Sequence, residues 1–167
     1  MEMESLIILL IMVLVIIIPV MILNRKKRLK ERKLVKALFN LAKNSNSRIT
    51  DYDNWNDTAI GIDKVSQRIF FVRLTPKNEN SKEVELPEME KCRFINTNRV
   101  VNNKETSQKI IEKLELGFTS RDTKKPELIL EFYNINYDSL SLRDEINLAG
   151  KWSAIANSEI IRLSSKN

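Results

Sequence analysis

The chain has no histidine at all. That absence excludes Ser-His-Asp and Cys-His catalysis and every histidine metal site. A single cysteine, Cys92, excludes an internal disulfide and suits a reducing compartment. Alternating with Phe94 in a strand-like segment, it reads as a buried thiol and not as a nucleophile. The three glycines, Gly61, Gly117 and Gly150, are scattered and build no phosphate-cradling loop. Charge of either sign is missing from residues 6–23, LIILLIMVLVIIIPVMIL, which also hold no amide or hydroxyl side chain.

Eighteen apolar residues cover about 27 Å as a helix, enough to cross a hydrocarbon core. Pro19 removes one backbone donor and predicts a kink that a membrane helix tolerates. A cleaved signal peptide needs a basic start and a small-residue cleavage site. This chain instead opens Met1-Glu2-Met3-Glu4, and its apolar run ends in Asn24-Arg25-Lys26-Lys27-Arg28. The sequence therefore predicts a transmembrane helix over residues 6–23, a short extracytoplasmic N-terminus over 1–5, a basic juxtamembrane segment over 24–43 and a folded domain over 44–167. Basic residues stay on the cytoplasmic side of a span. The expected location is then the inner (plasma) membrane, crossed once, with the N-terminus outside and the folded domain cytoplasmic.

The formal charge of +6 invites a nucleic-acid reading, but its distribution does not. Residues 25–43 carry nine lysines and arginines against Glu31, so the folded region from Asn44 onward has no net charge. No nucleic-acid partner is expected. The collar residues Arg25, Lys26, Lys27, Arg28, Lys30, Arg32 and Lys33 are candidate contacts for anionic lipid headgroups, or they serve only to fix topology. Further on, Leu34, Leu38 and Leu41 with Val35 and Ala42 form an apolar stripe on an amphipathic helix. It can lie on a membrane surface, dock on the folded domain or pair with a copy of itself.

Beyond Asn46 the apolar period changes to two. Strands are expected at residues 58–63, 68–75, 91–97, 110–118 and 127–134, with weaker candidates at 48–54 and 83–86. The asparagine-rich stretch 96–107 reads as a loop. One-sided alternation, as in Leu114, Leu116 and Phe118, predicts antiparallel sheets. The chain closes with a helix whose apolar face carries Leu142, Ile146, Ala149, Trp152, Ala156, Ile160 and Leu163, with Gly150 on that face. Ser141 and Asp144 resemble a capping box at its start.

Asp51, Asp53 and Asp57 begin like a calcium loop, but Trp55, Asn56 and Ile62 stand where that loop needs a ligand, a glycine and a bidentate glutamate. The cluster therefore reads as a solvated turn. Glu83, Glu85, Glu88 and Glu90 read as the wet face of an edge strand. Trp55 is either a core plug or an exposed anchor for a partner.

Seven short antiparallel strands from Ile49 to Phe132, followed by a helix bearing Trp152, resemble the pleckstrin-homology-like superfold. The AIGID and RIFFVR segments and the late AGKWSAI helix are also similar to small bacterial membrane-anchored proteins with such a domain. The resemblance implies an α+β, mostly β fold: a seven-stranded antiparallel bent barrel capped by the C-terminal amphipathic helix, behind the transmembrane helix. It implies binding without catalysis and without a cofactor. Phosphoinositide-binding members place basic residues on the first two strands, whereas here the matching segment, 51–57, is acidic. The expected function is a membrane-anchored, non-enzymatic binding or scaffold module with a protein partner. The alternative is a sensor of anionic lipid or of a small molecule at the membrane surface.

Overall fold

The computed structural model describes the backbone of residues 2–75, 79–103, 106–138, 142 and 144–165, and their side chains except at 2–11, 14, 24, 26, 101–103 and 106–108. Among the described residues the chain makes helix α1 (Glu2–Asn44), strands β1 (Asp51–Trp55), β2 (Thr58–Asp63), β3 (Arg68–Leu74) and β4 (Glu79–Glu85), a 3-10 turn (Leu86–Glu88), strands β5 (Met89–Asn103), β6 (Thr106–Ser120) and β7 (Leu128–Asn134), and helix α2 (Glu145–Ser164). The helix assignment of α1 passes through Pro19 without a break.

The side chains of residues 6–11 lie outside the described residues. Among the described residues no helix is long and apolar enough to cross a membrane. This finding overturns the expected transmembrane helix at 6–23, and with it the single-span membrane association, the inner-membrane location and the outside-to-cytoplasm topology.

The strands form a four-stranded sheet in the order β1-β2-β3-β4 and a three-stranded sheet in the order β5-β6-β7, and these do not close into the expected seven-stranded barrel. The physical reason lies at the outer edge of β7, where side chains from the first sheet stand in place of a backbone ladder. Lys82 Nζ donates to the Ile129 carbonyl at 2.6 Å, Arg73 Nη1 to that of Glu131 at 2.7 Å, and Trp55 Nε1 to that of Phe132 at 3.1 Å. Phe132 falls at the register shift between β6 and β7, so its carbonyl is left for the indole. Arg73 is only 2% exposed, and Asp138 at 2.5 Å neutralises it. A buried charge needs such a partner. β5 is capped in the same manner: Asn157 of α2 accepts from the Cys92 amide at 2.9 Å and donates to its carbonyl at 2.8 Å, copying the bonds of a neighbouring strand.

Two apolar cores follow. The larger lies between the sheets and under α2, where Ile60, Ile62, Ile69, Phe71, Leu116, Phe118, Phe132 and Trp152 meet. Trp55 is part of it, stacked on Phe132 at 4.7 Å between ring centroids, so it is a plug and not an exposed anchor. The smaller core lies on the other face of the four-stranded sheet, where Leu34, Leu38 and Ala42 of α1 cover Ile49, Ala59, Phe70 and Val72. Of the three fates open to the apolar stripe of α1, the structure shows docking on the folded domain. Both faces of β2 and β3 are thereby covered, and every residue of β2 is buried. Gly61 permits the close approach: a Cβ there would stand 3.0 Å from Ile49 Cγ2 and 3.3 Å from Leu38 Cδ2.

The 96–107 stretch is not simply a loop, because β5 and β6 continue as a paired ribbon to Asn103 and from Thr106. A continuous ladder outweighs the weak strand preference of asparagine. Gly150 sits on the exposed side of α2 with open space around it, not on the apolar face. Ser141 lies outside the described residues, and Asp144 makes no side-chain cap bond.

Two measurements check this description. Leu38 is fully buried and Leu29 is 57% exposed. Leu38→Ala should lower unfolding free energy in urea by about 2–5 kcal/mol, and Leu29→Ala by no more than about 0.5 kcal/mol. Asp63 closes the turn between β2 and β3. Burial opposes its ionised form, but the amides of Arg48, Val65 and Ser66 and the Ser66 hydroxyl outweigh that opposition and hold its pKa below the ordinary 3.8. Its stabilisation is complete above that value and is lost as pH falls through the lower folded value. Asp63→Asn should therefore cost about 1–3 kcal/mol at neutral pH, and the gap to the parent should narrow in titrations carried below the aspartate range.

Candidate functional site

Cavities open on the described surface, two of them flanking α1. One, about 470 Å³, is a groove between α1 and β1, lined by Arg28, Glu31, Arg32, Val35, Lys36, Phe39, Tyr52 and Asn54. A smaller cavity of about 250 Å³ adjoins it across Glu31 and Asn54 and is lined further by Lys27, Lys30, Trp55, Asn56, Asp144 and Glu145. Another, about 240 Å³, opens between β4 and the start of β7 around Val84, Met89, Phe118 and Leu128, with Glu83, Glu85, Glu88 and Lys125 also lining it.

The groove follows from the docking of α1. With Leu34, Leu38 and Ala42 turned onto the sheet, residues spaced by four on the neighbouring flank come up beside β1. These are Arg28, Arg32 and Lys36, about one turn apart. None is paired with a carboxylate among the described residues. At the far end Phe39, 41% exposed, meets Tyr52, 43% exposed, edge to face at 5.5 Å between centroids. An open cationic row beside an exposed aromatic pair can hold an anionic ligand that also carries an apolar group.

The seven collar residues do not act as one patch. Arg28 and Arg32 line the groove, while Lys27 and Lys30 line the smaller cavity. Lys30 is held by Asp57 at 2.5 Å. Arg25 and Lys33 are exposed and line neither cavity, and the side chain of Lys26 lies outside the described residues. Lys36, Phe39 and Tyr52 were not singled out as site residues from the sequence. The spacing 28, 32, 36 was a signal for the first of them, whereas the meeting of Phe39 with Tyr52 is purely tertiary.

The acidic trio divides as well. Asp53 accepts from Lys151 Nζ at 2.6 Å and from the Trp152 indole at 2.8 Å, tying β1 to α2, whereas Asp57 faces Lys30. The hydrogen bond from Lys151 to Asp53 raises the lysine's pKa. Among the described residues no group of three or more acidic or cysteine side chains is placed to hold a metal ion. The Cys92 thiol is buried, and burial pushes its pKa up to about 11. No family model, curated protein or solved structure matches this chain.

The thiol offers a check on this description. Cys92 should resist alkylation by a neutral maleimide at pH 7 in the native protein and react fully in denaturant. Rapid native labelling would contradict the buried position.

Proposed function

We propose that this chain is a non-enzymatic binding module, related to the pleckstrin-homology-like superfold, that holds a protein partner in the groove between α1 and β1. The observation that carries the reading is the row of Arg28, Arg32 and Lys36, set without ion-pair partners among the described residues beside the exposed Phe39 and Tyr52. Some cations elsewhere on the body, Arg68, Arg73, Arg93 and Lys151 among them, are matched to acids. What supports a site for an external anion is that the three open cations of the groove lie in one row beside exposed aromatic rings. The order of seven strands followed by a helix packed on the core supports the kinship. A protonated, buried thiol and the lack of histidine support binding over chemistry.

Sensing of an anionic lipid or small anion by the collar is the weaker reading. Its residues divide between two cavities, and Asp57 already occupies Lys30.

A photo-crosslinking amino acid at Tyr52 in the full chain should give a discrete protein adduct that the same group at the exposed Lys124 does not. Arg32→Glu combined with Lys36→Glu should reduce that adduct by roughly tenfold, the equivalent of about 1.4 kcal/mol. Adducts with lipid alone, or identical adducts from both positions, would reject a protein-binding groove.

A further inference from the structure

We infer that the groove takes an acidic, extended segment of the partner, with carboxylates on alternate residues and an apolar residue at one end. This rests on the binding-module reading and names the chemistry of its occupant.

Residues four apart on α1 rise about 6 Å, so Arg28, Arg32 and Lys36 spread positive charge along about 12 Å. A single phosphate needs donors that converge, whereas these three cations are rooted one helical turn apart. Alternate side chains of an extended chain lie about 6.6–6.8 Å apart on one face. Three acids so spaced match three cations in a row.

The second wall of the groove agrees. Tyr52 and Asn54 come from β1, which pairs with β2 on one side and is the outermost strand of its sheet. An extended segment lying between a sheet edge and a helix is a recurrent mode of peptide capture. Asp53, the acid between those two residues, is turned toward Lys151 and Trp152 and does not repel the ligand from the groove.

Glu31 lines both cavities, and the smaller one adds Asp144 and Glu145 beside Lys27 and Lys30, the latter already paired with Asp57. That mixed charge favours an acidic segment less than the row does. At the other end Phe39 and Tyr52 present exposed ring surface, which suits an apolar or aromatic residue.

The test is fluorescence anisotropy with the full chain and a short labelled peptide bearing glutamate at alternate positions and a terminal phenylalanine. Binding should saturate, weaken as salt rises, and fall roughly tenfold with Arg32→Glu or Lys36→Glu. Arg32→Gln should give a smaller loss, and Lys124→Glu none. The lysine-for-glutamate peptide should not bind, and inorganic phosphate and vesicles of anionic lipid should not compete at matched charge. Thermal melts of each variant separate lost binding from lost folding. Peptide binding indifferent to Arg32 and Lys36 would overturn the groove as the site. Displacement by phosphate or by vesicles, with the same dependence on those cations, would overturn the peptide as its occupant. If the peptide fails while the Tyr52 adduct persists, the occupant's chemistry is wrong and the binding module stands; if both fail, the module falls too.

Discussion

The docking of α1 on the four-stranded sheet is the constraint on which the rest depends. Leu34, Leu38 and Ala42 are buried against Ile49, Ala59, Phe70 and Val72, and the absence of a side chain at Gly61 lets the helix come close. One consequence is energetic: β2 and β3 lose contact with solvent on both faces, so they carry apolar residues at consecutive positions. The other is geometric. Once the helix is fixed in rotation, its basic residues are sorted into those beside β1, those facing Asp57 and Glu145, and those in solvent.

The same economy of backbone pairing governs the body. Two sheets with unsatisfied edges are held together by side chains that imitate a neighbouring strand. Lys82, Arg73 and Trp55 serve the β7 carbonyls, and Asn157 serves both backbone groups of Cys92. Each of these bonds satisfies a polar group that burial would otherwise penalise. They also give the packing a definite register, because a side chain of fixed length reaches only one carbonyl. Edges capped in this way are closed to further strands, whereas β1 bears only β2.

Much of this was legible in the residues. The boundaries expected for β2 and β3 at 58–63 and 68–75 agree with Thr58–Asp63 and Arg68–Leu74 to within a residue, because RIFFVR is dense in β-forming side chains and the polar residues 63–67 mark the turn between them. Most of the apolar face of α2 was visible in its three and four residue spacing, with Ala149, Trp152, Ala156 and Ile160 in the core, whereas Ile146 is exposed. The asparagines of 96–107 misled because local preference is weak against a long ladder. The transmembrane reading of 6–23 treated an apolar run as an element of its own, whereas the structure joins it to the docking segment in one helix and shows, among the described residues, no helix long and apolar enough to cross a membrane.

The sequence by itself determined the types of most elements, the apolar stripe of α1, the neutral charge of the region from Asn44 and the absence of histidine chemistry. These are properties of spacing and composition, which the chain carries before it folds. Tertiary structure alone decided which surface the stripe covers, that the strands divide into two sheets instead of closing a barrel, and that Arg28, Arg32 and Lys36 face Tyr52 across a groove. Those outcomes rest on contacts between residues far apart in sequence, and on which edge carbonyls a side chain can reach, and no local pattern records either.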